Sequence, residues 1–276
     1  MTMNSKRQAL LVGSLPFEDE EACMRRALEL LGPHLIALPD GEIGQKSQRF
    51  PRGDRIAWAV YAMERLTADP SNWRVVKDAV RGRDGMATDY TTFQKLVPLR
   101  SPAQVASTSS LGYDDWVRRS YPPFQRLRAA AGLSLPFQLG VPTGSALGFA
   151  FSRPWDALRF IGAFNAVIAR EVNSARAATG GDLIVQIEVP PEVFAAHALP
   201  TPFMGMALLP IVDLLRKLEP GARVGVHLCL GDFHNKALVH PRTPERMVRF
   251  VNRLAASWPA QHQLEYVHVP LAEGDR

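Results

Sequence analysis

Cysteine is nearly absent from this sequence. Cys23 and Cys229 are the two in 276 residues, too few for the disulfide framework of a secreted domain. Long hydrophobic runs are missing as well. No stretch approaches the roughly 18 consecutive apolar residues of a membrane span, so no membrane partner is expected. The opening, MTMNSKRQALLVGSLPFEDEE, has a basic pair and a short apolar run. It lacks a small-residue cleavage site and turns acidic at once, so no secretory signal is expected. Dense basic runs and RNA-binding signatures are lacking too. The net charge is +5, yet the arginines are scattered among acids, as in RRALELL and VDLLRKLE. That pattern describes solvated helix faces, and no nucleic-acid partner is expected. Internal repeats and low-complexity linkers are also absent. A cytoplasmic protein is the expectation.

What remains is ordinary globular composition, 46% hydrophobic and 21% charged, read as a single domain over 1–276. Short β-like runs alternate with helical segments. Residues 9–12 form the first run, ended by Gly13-Ser14-Leu15-Pro16, and a helix is predicted over 19–31. The second run, 35–38, ends in Pro39-Asp40-Gly41-Glu42. A longer stretch follows, with helices predicted over 56–66 and 113–131 and loops or a hairpin near 89–99. Four more runs are predicted at 135–141, 183–189, 223–230 and 264–269, separated by helices over 155–179, 204–218 and 243–258. Such alternation implies parallel strands with crossover helices.

Two architectures fit that pattern, an open doubly wound sheet and a (β/α)8 barrel of the TIM type. The open sheet loses support because GSLPFE, after the first run, has a single glycine and no dinucleotide fingerprint. The barrel gains support from polar residues inside the strands. Residues two apart share a face. Leu183, Val185, Ile187 and Val189 therefore share one face, and Gln186 and Glu188 the other. In the fifth run Val224, Val226, Leu228 and Leu230 oppose Gly225, His227 and Cys229. The aliphatic faces suit surrounding helices, and the polar residues then point inward near the C-terminal strand ends, where such barrels build active sites. Glu188, His227 and Cys229 are expected to converge.

His227 and Cys229 form an H-x-C pair whose imidazole and thiolate can reach one metal ion from one face. A buried cysteine otherwise serves as a small hydrophobe and a buried histidine as a hydrogen-bonded structural group. Glu188 ends an apolar strand, where a carboxylate needs a cation or a ligand; a structural arginine partner would serve equally. Asp40 and Glu42 flank Gly41 just after a strand, as a turn or as carboxylates for a substrate amine. His234 lies just past the fifth run and within reach of the same site, and His268 shares a face with Tyr266 on the sixth, as a third ligand or as an inert interior residue. Cys23, within a helix, is expected in the core.

GSLP after the first run, DGE after the second, PTG after the third, QIEVPP on the fourth and HLCLGDF on the fifth occur in order. Over residues 11 to about 269 this set resembles the catalytic barrel of cobalamin-independent methionine synthase. More broadly it resembles the superfamily that the synthase shares with uroporphyrinogen decarboxylase and the zinc-dependent corrinoid:thiol methyltransferases. The resemblance implies zinc on His227 and Cys229, activating a thiol that attacks a methyl group. It also implies Glu188 and Glu42 as contacts for an amino-acid substrate, with Gly13 and Ser14 supplying the GS turn and Gln186 beside them. Glu188, Asp40 and His234 are the expected catalytic groups, and His268 the expected third metal ligand.

The departures are equally specific. The family's zinc takes a glutamate from the sixth strand and a cysteine near the last. Here the sixth run reads EYVHVPL, with Glu265 opposite in phase to His268, and no cysteine follows Cys229. About six strands are recognisable. An incomplete barrel, a homodimer contact that completes it, or a truncated chain with an unstable edge are the expectations at that gap. The reaction expected is methyl or alkyl transfer to a small thiol or amino acid. Two alternatives stay open: metal-free acid–base chemistry of the decarboxylase or lyase kind, and a degenerate barrel that only binds a small molecule.

Overall fold

A computed structural model describes residues 8–54, 58–231, 236–241 and 243–270. In chain order, α1 (Glu20–Leu31) leads to β1 (Leu38–Pro39), and α2 (Trp58–Thr67) to a hairpin of β2 (Trp73–Lys77) and β3 (Lys95–Pro98). Next, α3 (Pro102–Thr108) and α4 (Tyr113–Ala130) precede β4 (Phe137–Pro142), and α5 (Pro154–Ala178) precedes β5 (Leu183–Glu188). Then α6 (Pro190–Ala198) and α7 (Leu209–Lys217) precede β6 (Arg223–His227), and α8 (Glu245–Ala256) precedes β7 (Gln263–His268). The main sheet has five strands in the order β1-β4-β5-β6-β7, every pair parallel. The chain is an α/β protein, and the strand order never reverses. Among the described residues no helix is long and apolar enough to cross a membrane.

Local chemistry explains two of these elements directly. Asp19 caps α1 by accepting from the Ala22 N–H at 2.7 Å, with Glu20 and Glu21 in the first turn where the helix dipole favours acids. β1 is only two residues long because Pro39 has no N–H to extend the ladder. The first β-like run stays a single parallel bridge, Ala9 to Leu35.

Several elements differ from the sequence pattern: α3 has no counterpart in it, and β6 ends at His227, short of the run expected to 230, so Cys229 lies beyond the strand. Pro190 and Pro191 end a strand, as expected, but they also open α6, because the first turn of a helix needs no N–H donor. The helix expected over 204–218 begins instead as a 3-10 stretch, Thr201–Leu208, and becomes α-helical at Leu209. The hairpin expected near 89–99 takes its first strand, Trp73–Lys77, from further upstream.

The alternation within the strands sorts as expected. Leu139, Val141, Val185, Ile187, Val224 and Val226 are buried in one core with Phe160, Phe164 and Val167 of α5 and Leu214 and Leu215 of α7. Each such side chain contributes about 1.5–3 kcal/mol. The other phase carries the polar residues. Gly140, Gln186, Gly225 and Tyr266 are in register across four strands, and Pro142, Glu188, His227 and His268 form the next row. A register shift between Val224 and Gly225 makes Glu265 the extra residue of β7. Its carboxylate pairs with Arg223 at 2.5 Å.

Candidate metal centre

The last row of that polar phase brings donors together. One ligand atom each from Glu188, His227 and Cys229 lie within 4.8 Å of one another, and these three residues could hold a metal ion. His227 Nε2 faces Glu188 Oε2 at 3.7 Å. Cys229 lies two residues past the end of β6, half-buried, and its sulfur accepts from the Gly231 N–H at 3.2 Å. Gly231 has φ +86°, and a Cβ there would meet the Tyr90 hydroxyl at 2.7 Å, so glycine is required where the chain leaves the sulfur.

His268 touches this group through His227. The two Nδ1 atoms are 2.6 Å apart and the rings stack with centroids 4.7 Å apart. His268 is therefore placed behind His227, outside the three-donor cluster. Burial, followed by the charge of His268, pushes His227 down to about 3, and burial also lowers His268. Both rings are neutral at neutral pH, the state in which imidazole donates a lone pair.

A line of hydrogen bonds fixes the carboxylate. Tyr266 Oη donates to Gln186 Oε1 at 2.9 Å, and Gln186 Nε2 donates to Glu188 Oε1 at 2.6 Å. The same Gln186 amide donates to the Val12 carbonyl. Gln138 Nε2 reaches Leu11 O at 2.9 Å, Val12 O at 3.1 Å and Gln186 Oε1 at 3.3 Å. Glutamine amides thus anchor the first β-like run to the polar phase of the sheet and leave Glu188 Oε2 facing His227. The Tyr266 ring fits because Gly225 has no side chain; a Cβ there would lie 2.2 Å from the ring.

Glu42 approaches from the N-terminal side. The turn that carries it has Gly41 at φ +83° and Glu42 itself at φ +54°, a left-handed pair that non-glycine residues rarely adopt. Asp40, 1% exposed, holds that turn. Its Oδ1 accepts from the Glu42 N–H at 3.0 Å and its Oδ2 from the Trp116 indole at 2.6 Å. Ser14 Oγ donates to Glu42 Oε2 at 2.8 Å. A Cβ on Gly13 would lie 2.8 Å, and one on Gly140 2.6 Å, from Glu42 Oε1. Both glycines are bare because the carboxylate lies against them.

The structure therefore gathers Glu188, His227 and Cys229, with Gln186 and His268 beside them, and separately joins Gly13, Ser14, Asp40 and Glu42. Gly140 lies between the two groups, with Glu188 Oε1 4.0 Å from the Cβ position that Glu42 also approaches. His234 lies outside the described residues. Cys23 is fully buried, and burial, followed by the charge of Asp40, pushes its thiol up to about 12. Sequence reasoning missed the parts of Gln138, Tyr266 and Trp116. Gln138 shares the strand phase of Gly140 and Tyr266 that of His268, so the same period-two rule could have found both.

An α/β protein with a largely buried carboxylate–imidazole–thiol cluster at the C-terminal ends of parallel strands is the class these observations define. No protein-family model, curated protein or solved structure matches the chain.

Proposed function

We propose that the chain is a methionine synthase-like (β/α) barrel protein that binds zinc through Glu188, His227 and Cys229 and transfers a methyl or alkyl group to a thiol. The observation that carries this reading is the gathering of three donors within 4.8 Å. Carboxylate, imidazole and thiolate suit zinc, and a site of three protein donors would leave room for a substrate sulfur. When bound, zinc supplies Lewis acidity that favours the thiolate form of that sulfur. His227 would offer Nε2, the nitrogen facing Glu188, to the metal, with His268 orienting the ring from Nδ1. Tyr266 and Gln186 hold Glu188 in place. Glu42, steadied by Ser14, offers its carboxylate to a substrate amino group. The substrate sulfur forms the new S–C bond, the donor–carbon bond breaks with its electron pair leaving on the donor, and the thiol's proton ends on that donor atom.

The strictly sequential strand order supports the barrel. A second reading, metal-free acid–base catalysis, draws on the approach of Glu42 and Glu188 to the same bare backbone at Gly140. Elemental analysis of chelator-free protein separates the two. Near-stoichiometric zinc that falls more than tenfold in Cys229→Ser and Glu188→Gln is expected. A folded wild type that neither carries nor takes up zinc would sink the metal reading and leave the carboxylates as the site.

A further inference from the structure

On the helix side of the sheet, α5, α6, α7 and the 3-10 stretch enclose a groove of about 590 Å³, within the size range of small-molecule sites. Its walls are largely apolar, with Ile161, Ala195, Leu199, Met206 and Leu209 among them, and no basic residue lines it. Leu158, Met206 and Leu209 carry this apolar surface outward, each more than half exposed. None of its residues belongs to the metal cluster.

Two acids interrupt that lining, Glu192 and Asp213. Glu192 is 2% exposed. Its Oε1 accepts from Thr143 Oγ1 at 2.5 Å, whereas Oε2 is buried with no hydrogen-bond partner among the described residues. Burial pushes Glu192 up to about 7, against the Thr143 and Ser145 hydroxyls and its own backbone N–H, which favour the charged form. An acceptor without a donor at such depth calls for an explanation. Asp213, the other acid in the lining, is already engaged: Oδ1 pairs with Lys217 and Oδ2 accepts from Asn165 at 2.8 Å. The unmet acceptor is therefore Glu192 Oε2. A charge-assisted donor would satisfy it most strongly, and the apolar walls require that the rest of the ligand be hydrocarbon.

We propose that this groove is a second binding site, for a small primary amine on an apolar body, with the ammonium group seated against Glu192 Oε2. The site stands independently of the metal centre. Calorimetric titration at pH 8, with phenethylamine as the cationic probe and 2-phenylethanol as its neutral counterpart, tests it. One saturable amine site per chain is expected, at least tenfold tighter than the alcohol. Glu192→Gln abolishes that preference, and Glu188→Gln leaves it intact. Equal binding of the two probes, or no saturable amine binding, overturns the proposal. So does amine binding that survives Glu192→Gln. If Glu192→Gln does not fold, Ala195→Phe fills the groove instead. Loss of amine binding at an unchanged melting temperature then supports the site, and undiminished binding overturns it.

Discussion

His227 and His268, on neighbouring parallel strands and directly in register, point Nδ1 at Nδ1 across 2.6 Å. One of these nitrogens donates and the other accepts, so the tautomers of the two rings are coupled. His227 Nε2 then faces Glu188 as a donor or as an acceptor, according to which ring carries the shared proton.

His268→Phe removes that orienting partner and keeps a ring in the stack. Metal affinity is expected to fall about 10–100-fold, the range for loss of a group that orients a ligand. Cys229→Ser, which removes a donor, is expected to cost more. Competition with a chromogenic chelator measures both, and an unchanged affinity in His268→Phe would remove His268 from the centre.

Gly225→Ala places a methyl group 2.2 Å from the Tyr266 ring. Overpacking of this kind costs about 1–3 kcal/mol, and the displaced ring takes its hydroxyl away from Gln186. Urea unfolding should show the loss of stability. The double variant Gly225→Ala/Tyr266→Ala should be less destabilised than the two single effects summed, because the clash is shared.

The two thiols should differ in reactivity. Cys23 is fully buried with its thiol pushed up to about 12, so little thiolate exists at pH 8. Iodoacetamide on the native protein is expected to modify Cys229 alone, and bound zinc to slow that modification. Mass spectrometry of proteolytic fragments reads both outcomes. Early labelling of Cys23 would contradict the packing of its sulfur against Gly41.

Glu192 makes stability depend on pH in an unusual direction. Its folded-state value, about 7, lies above the ordinary 4.5. Between those values the folded protein keeps a proton that the unfolded chain has released. Stability from this group is therefore full below about pH 4.5 and falls as pH rises towards 7, by up to roughly 3 kcal/mol. Denaturant midpoints of Glu192→Gln, compared with wild type across this window, should lack that component of the slope.

Strand phase made much of the candidate site legible in the sequence. Period-two alternation in LIVQIE and RVGVH puts Glu188 and His227 in the inward phase; Cys229 joins them from the turn beyond β6, where the Gly231 N–H meets its sulfur. Asp40 was legible as a turn residue or a catalytic acid; the Trp116 indole that occupies its Oδ2 comes from a helix 76 residues away, which no local pattern reports. Pro190-Pro191 was ambiguous for a different reason. The same missing N–H that ends a strand suits the first turn of a helix, so α6 stayed hidden behind a stop signal. The run expected over 35–38 shrinks to Leu38–Pro39 and overlaps it only at Leu38, because the alternation that marks a strand does not report where its ladder pairing begins.

The extra residue at Glu265 is a local loop-out in β7 that the rest of the strand does not feel. Deleting it would leave Leu264 opposite Val224 and keep Tyr266, Val267 and His268 opposite Gly225, Val226 and His227. The imidazole behind His227 and the hydroxyl that steadies Gln186 would both stay. What would go is the carboxylate that pairs with Arg223, so the bulge gives β7 a charge partner for Arg223 without using a position of its inward phase.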